Sequence, residues 1–284
     1  MKVWRSILAG AFNCWFSRMK EKIWKGIRQS EAISDEIDCL RRIVPLLSGQ
    51  KEAVRQYLEE IETAQEIRER VEYYVEHYGY LPFSWSWHQR FHGKQFSRVL
   101  FLYLLLRLIR PENVIETGCF SGWTSTLILY ALHRNEKGHL WTIDLPAQAG
   151  RFSMDASLPQ ELTPGFLVPD MLRPRWTLII GDTREHLPPL LHRLENIDVF
   201  YHDSDHTYEH MMWEYTTVWP YLRQGGILIS DDIGANTAFW DFAVAMGCPM
   251  AIPAVNPNFG AISKMGEMYI QKGPEMSNIV SVSP

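Results

Sequence analysis

The stretch "NVIETGCFSG", Asn113 to Gly122, decides how the rest of the chain is read. It begins with a short apolar run that ends in an acid, Glu116, and it then spaces Gly118 and Gly122 as GxxxG. A run of this length reads as a strand, and glycines directly after it let the backbone turn tightly and approach a ligand closely. The spacing is not the GxGxxG of dinucleotide-binding sites, and a carboxylate two residues before the first glycine would repel a pyrophosphate. It suits a cationic or amine-bearing ligand, so a nicotinamide cofactor is not expected.

Similar runs recur downstream as "HLWTIDL" (139 to 145), "WTLIIGD" (176 to 182), "IDVFYHD" (197 to 203) and "GILISDD" (226 to 232). Helical segments are predicted at 121 to 133, 183 to 194, 208 to 222 and 236 to 246. Nearly continuous apolar strands linked by helices predict a parallel sheet covered on both faces. "MAIPAV" (250 to 255) and "FGAISKM" (259 to 265) are close enough to form a hairpin-like pair at one edge. Between Leu145 and Trp176 lies a Pro-containing insertion without clear period, of a length usually tied to function. Upstream, Ser30 to Tyr78 is helical in pattern, with Gly79 as a stop signal, and these helices are expected to cover part of the next domain. The aromatic-rich "LPFSWSWHQRFHGKQF" (81 to 96) leads into another helix ending at Arg110. Within it Trp85, Trp87, His88 and His92 read as core residues or as the lining of an acceptor pocket.

With 284 residues, 46% hydrophobic and 21% charged, the composition is that of a globular protein. The four cysteines at 14, 39, 119 and 248 form no CxxC pair, and no cleavable apolar leader is expected. A reducing, cytoplasmic setting is therefore expected, without a disulfide framework or structural zinc. The longest apolar stretch, Val99 to Leu106, is far short of the ~20 residues that span a bilayer. Net charge of −5 conceals an asymmetry: residues 1 to 28 hold seven Lys/Arg against the single acid Glu21, which leaves the remainder at −11. So acidic a body disfavours nucleic acid. In the basic segment Trp4, Ile7, Leu8, Phe12, Trp15 and Phe16 begin an apolar stripe at helical spacing. Three readings stand: a helix on an anionic membrane surface, a helix packed on its own domain or on a second copy in a homo-oligomer, and a matrix-targeting presequence.

Every strand run ends in or beside an acid: Glu116, Asp144, Asp182, Asp203, and Asp231 with Asp232. Open α/β sheets bind ligands at these carboxyl ends. Asp144 is placed to accept hydrogen bonds from ribose hydroxyls, and Asp182 could bond an adenine amine. The decapeptide "YHDSDHTYEH" (201 to 210) adds three histidines to three acids. His202 and His206 flank a turn and His210 falls on the following helix, which speaks against zinc.

Taken in order, these motifs resemble class I S-adenosylmethionine-dependent methyltransferases over about residues 92 to 270. The closest likeness is to small-molecule O-methyltransferases of sugar, macrolide or catechol type, whose "DxGDHxY" and "LxxGGxLxxDD" appear here as "HDSDHTY" and "LRQGGILISDD". Ser204 replaces the frequent glycine. The resemblance implies an α/β fold with a doubly wound Rossmann-like sheet in the order 3-2-1-4-5-7-6. It implies an N-terminal helical region over 1 to 90, a methyltransferase domain over 91 to 272 and a tail from 273 to 284. It implies S-adenosylmethionine contacted by Glu116, Gly118, Cys119, Gly122, Asp144, Asp182 and Asp203, with Mg²⁺ or another divalent ion held by Asp203, Asp231 and Asp232.

Physical reasoning runs in the same direction. In that order the fourth and fifth strands are neighbours ~4.8 Å apart, and carboxylates that close repel unless a cation or proton joins them. An all-oxygen site favours Mg²⁺, Ca²⁺ or Mn²⁺ over zinc. A cation bound to an acceptor hydroxyl would lower its pKa and aim it. His206, three residues after Asp203, resembles the base of metal-assisted sugar O-methyltransferases; otherwise it caps the next helix or supports a carboxylate. The function expected is methyl transfer to a small-molecule hydroxyl. The alternatives are a metal-independent N- or C-methyltransferase and a noncatalytic, membrane-recruited binding protein of the same fold.

Overall fold

The computed structural model describes residues 51–78, 94–146, 162–253 and 258–264. Outside them lie the basic segment 1 to 28, the helix expected after Ser30, the stretch with Trp85, Trp87, His88 and His92, most of the insertion after Leu145, and the C-terminal tail. Two helices, α1 (Lys51–Glu62) and α2 (Gln65–Tyr78), precede α3 (Lys94–Ile109). There follow β1 (Asn113–Thr117), α4 (Trp123–Arg134), β2 (His139–Asp144), a 3₁₀ turn at Asp170–Arg175, β3 (Trp176–Ile180), α5 (Thr183–Leu194) and β4 (Ile197–His202). The chain continues through α6 (Tyr208–Val218), β5 (Leu222–Ser230), α7 (Ala238–Met246), β6 (Met250–Ala251) and β7 (Gly260–Ser263).

Seven strands form one sheet in the order β3-β2-β1-β4-β5-β7-β6, as the motif order implied. The first five pair in parallel, and β7 is antiparallel to both β5 and β6. Alternation along the strands explains the two-sided cover. Val114, Val199, Tyr201, Ile227 and Ile229 face one apolar layer, whereas Ile115, Phe200 and Leu228 face the other. The first layer packs α3 and α4 together with Val54, Ala64 and Ile67 of the N-terminal helices and the segment between them, so those helices share the sheet's own core. The second packs α5, α6 and α7. No helix among the described residues is long and apolar enough to cross a membrane.

Two elements differ from expectation: the helix pattern that stops at Gly79 is interrupted at Thr63 and Ala64, which part α1 from α2, and β5 begins early. The helix predicted to run through residue 222 ends at Val218, and β5 already begins at Leu222. Leu222 is buried and pairs with Ile197, after which the register shifts before Ile227 pairs with Val199. Gly225, at φ 73°, supplies the left-handed turn that this irregularity requires. A polar "RQGG" inside a strand does not read as one in sequence.

The N-terminal helices are fixed by charge as well as by apolar contact. Glu60 on α1 accepts from Arg107 Nε (2.8 Å) and Nη2 (3.0 Å), from Tyr103 Oη (2.8 Å) and from Arg134 Nη2 (3.2 Å). Arg107 also bonds the side chain of Asn135. Burial pushes the Glu60 carboxyl up, but Arg107, Tyr103 and Arg134 outweigh it and hold the group below the usual carboxylate range. A depressed native pKa makes the ion pair fully stabilising above the unfolded value, and the stabilisation fades as pH falls through the native one. Glu60→Ala leaves Arg107 charged and buried, so the expected loss is about 3–5 kcal/mol in urea unfolding at pH 7, shrinking on acidification.

Candidate functional site

Where β1 ends, the chain makes two left-handed glycine turns, at Gly118 (φ 78°) and Gly122 (φ 81°), the latter starting α4. A Cβ on Gly118 would lie 2.0 Å from the Asp203 carbonyl oxygen, and one on Gly122 would lie 2.6 Å from Gly165 Cα. Only glycine lets the loop sit against the end of β4. Asp144 holds this loop from β2: its Oδ2 accepts from the backbone N–H of Cys119 (3.0 Å) and Phe120 (2.7 Å), and its Oδ1 accepts from Leu145 N–H (2.8 Å). The Cys119 thiol lies beside the same carboxylate, 3.2 Å away, and burial with this neighbour pushes it well above its ordinary pKa.

Glu116, expected at the ligand, is instead completely buried beneath the loop. Its Oε2 accepts from Ser125 Oγ (2.6 Å) and Thr142 Oγ1 (2.9 Å), and its Oε1 has no hydrogen-bond partner. Burial pushes this carboxyl up to about 8, which leaves it largely protonated at neutral pH. It ties β1, β2 and α4 together. Asp182, after the end of β3, is exposed and caps α5, accepting from Arg184 N–H at 2.8 Å.

Across the rim, β4 and β5 pair in register through His202 and Ser230, which sets Asp203 and Asp231 side by side directly after the two strands. The Asp203 N–H bonds Thr117 C=O (2.8 Å) and the Asp231 N–H bonds His202 C=O (2.9 Å). Tyr201 Oη donates to Asp203 Oδ2 at 3.0 Å. Asp232 stands past the strand in the left-handed region (φ 47°) and accepts from the Asn258 amide. His206 lies among these acids, with Nε2 3.9 Å from Asp203 Oδ1 and Nδ1 3.9 Å from Asp232 Oδ2. Its Nε2 is buried without a hydrogen-bond partner. Burial lowers the His206 pKa, His202 adds to the effect, and Asp232, Asp231 and Asp205 oppose it, so the ring is neutral near pH 7. It does not cap α6: Thr207 holds the cap position, and Asp205 secures the turn by accepting Thr207 N–H (2.9 Å).

Among the described residues no three His, Cys, Asp or Glu side chains form a group able to hold a metal ion. Asp203, Asp231 and Asp232 therefore share one rim, as expected from the strand pairing, without converging as ligands. The same finding covers the three histidines.

The residue that organises this rim escaped sequence reading. Glu214, fully buried on α6, faces His202 Nδ1 (2.6 Å) and accepts from Thr117 Oγ1 (2.8 Å) through Oε2. Its Oε1 accepts from Ser204 Oγ (2.9 Å) and meets His210 Nε2 at 3.0 Å. Burial would raise this carboxyl, yet His202 and His210 outweigh it and keep it ionised well below the usual range. The bond to Glu214 in turn raises His210. The i, i+4 spacing of His210 and Glu214 was the available signal, but it does not disclose the contacts to β1 and β4. The His206 ring stands edge-on to His202, with centroids 5.2 Å apart.

Residues 115–233 match a family model described as a methyltransferase domain. No curated protein matches the chain. Among solved structures, it is similar to the apo form of CalS11, a TDP-rhamnose 3'-O-methyltransferase of calicheamicin biosynthesis, at 17% identity and TM-score 0.47 over 70% of this chain and 93% of that one. It is also similar to an O-methyltransferase from Bacillus cereus in complex with SAH (12% identity, TM-score 0.45, 69% and 96% covered). TomG, an O-methyltransferase from Streptomyces achromogenes involved in tomaymycin synthesis, stands at 16% identity and TM-score 0.44, with 69% and 96% covered. The family match falls on β1 to the end of β5, the part of the sheet that carries the glycine loop and the acidic rim, and over these residues the chain is similar to methyltransferase domains.

Proposed function

We propose that this protein transfers a methyl group from S-adenosylmethionine to a hydroxyl group of a small molecule. The observation that carries the reading is the pairing, on one sheet edge and within the residues similar to methyltransferase domains, of a glycine loop held by Asp144 with the His206 imidazole, whose buried Nε2 makes no hydrogen bond. Gly118, Cys119 and Gly122 would shape the donor's seat. Asp144, whose Oδ1 accepts one backbone N–H, keeps acceptor capacity for ribose hydroxyls. Asp182 and Asp203 flank that seat at the ends of β3 and β4.

When bound, S-adenosylmethionine supplies an electrophilic methyl on a sulfonium sulfur that departs as a neutral thioether. The acceptor oxygen forms the new C–O bond as the C–S bond breaks, and its proton must go elsewhere. His206 is placed to receive it: the ring is neutral, and Asp203 and Asp232 on either side stabilise the imidazolium that forms. Asp203, Asp231 and Asp232 share the rim, and among the described residues they form no group able to hold a cation. Sugar, polyketide-like and phenolic hydroxyls are all compatible acceptors.

Isothermal titration with S-adenosylhomocysteine, followed by a screen of such hydroxyl compounds with methyl-labelled donor, tests the function; no binding of the homocysteine product rejects it. On an acceptor so found, His206→Ala should reduce kcat by about 10²–10⁴-fold while the donor binds as before, and an undiminished kcat removes the base role. Because the His206 pKa is lowered, the acid limb of the kcat profile should lie below the ordinary imidazole value. Turnover in excess chelator should equal that without it; loss restored by Mg²⁺ would mean that Asp203, Asp231 and Asp232 regroup around a cation on substrate binding.

A further inference from the structure

The insertion between β2 and β3 rejoins the described chain at Leu162, and its last stretch lies on the glycine loop. Gly165 N–H donates to Phe120 C=O (2.8 Å) and Leu167 N–H to Ser121 C=O (2.9 Å). Gly165, at φ 75°, is so tightly enclosed that a Cβ there would fall 2.1 Å from the Trp176 ring. With Gly122 pressed against its other side, residues 165 to 167 cannot shift without moving the loop.

Between the two bonded amides lies the Phe166 carbonyl, and it receives both Nε (3.1 Å) and Nη2 (2.9 Å) of Arg70 on α2. One turn further along α2, the Tyr74 ring packs against Phe166 (centroids 4.8 Å) and under the Arg70 guanidinium (5.1 Å). Tyr74, Leu162, Phe166 and Leu167 form a small apolar cluster of their own, with Trp123 of α4 against it. A two-pronged, charge-assisted grip fixes a carbonyl in both position and direction, and it is stronger than a neutral bond.

We propose that Arg70 is a positioning residue for the methyl donor: through Phe166 it clamps residues 165 to 167 onto the glycine loop, so that α2 takes part in donor binding. The inference rests on the donor reading above. Arg70 itself touches neither donor nor acceptor in this role.

The test uses the full chain with Arg70→Ala, Arg70→Lys and, as a comparison elsewhere in the helix docking, Arg134→Ala, which removes the partly exposed bond to Glu60. Amide hydrogen exchange and titration with S-adenosylhomocysteine are the two readouts. Arg70→Ala should lose protection at Gly165 and Leu167, with α4 amides unchanged, and weaken binding about tenfold, because the two-pronged grip on Phe166 is lost. Arg70→Lys, which cannot present the fork, should fall between, and Arg134→Ala should behave as the natural chain. Undiminished binding by Arg70→Ala overturns the proposal, as do equal losses in Arg70→Ala and Arg134→Ala, which would indicate general loosening. If the natural chain binds no S-adenosylhomocysteine, the donor reading fails and this role with it, and intact exchange differences would show that failure to be distinct from a missing clamp.

Discussion

The parallel pairing of β1 with β4 is the constraint on which the site depends. It is the point where strand order reverses, so the loops leaving the two strands part to opposite sides and open a crevice between them. That crevice keeps its shape because the backbones touch: the turn at Gly118 sits on the Asp203 carbonyl, and Asp203 N–H bonds Thr117. From below, one ionised carboxylate, Glu214, binds the residue before Gly118 and the residues on both sides of Asp203. A charge so deeply buried is sustained only by its hydrogen bonds and by the two histidines. The glycine loop after β1 and the acidic rim after β4 are thus held by a common anchor rather than assembled independently.

Much of this was legible in sequence because strand pairing and strand-end chemistry leave local signs. Apolar runs ending in acids, glycines at the turn and the late hairpin-like pair located the sheet and the rim, and the resemblance to a known family implied the strand order. Burial of individual acids was not legible. Glu116 and Asp203 are both acids beside a strand end, yet one is fully buried and the other sits at the rim, because Glu116 lies within β1 with α4 over its side chain and Thr142 of the neighbouring strand beside it. Nor does the sequence disclose that the Asp182 carboxylate caps a helix. Glu214 and Arg70 were missed for a different reason: their partners are 97 and 96 residues away in sequence, and no spacing rule reaches so far.

The rim also shows why adjacency of carboxylates does not by itself define a cation site. Strand pairing placed Asp203 and Asp231 together as expected, but the turn after β5 sends Asp232 into a left-handed conformation and toward Asn258, with His206 between it and Asp203. Hydrogen bonds donated by Tyr201 to Asp203 and by Asn258 to Asp232 relieve part of the repulsion among like charges here.

The reversed direction of β7 has a geometric corollary. In a wholly parallel sheet every strand leaves at the reactive edge and none arrives there. Because β7 runs the other way, its entry point falls on that edge, and Asn258 is delivered there to bond Asp232, Gly234 N–H and Ile233 N–H at once. Asn258 therefore closes the turn after β5 from a direction that a wholly parallel sheet could not supply, and its one amide joins the backbone of that turn to the Asp232 carboxylate.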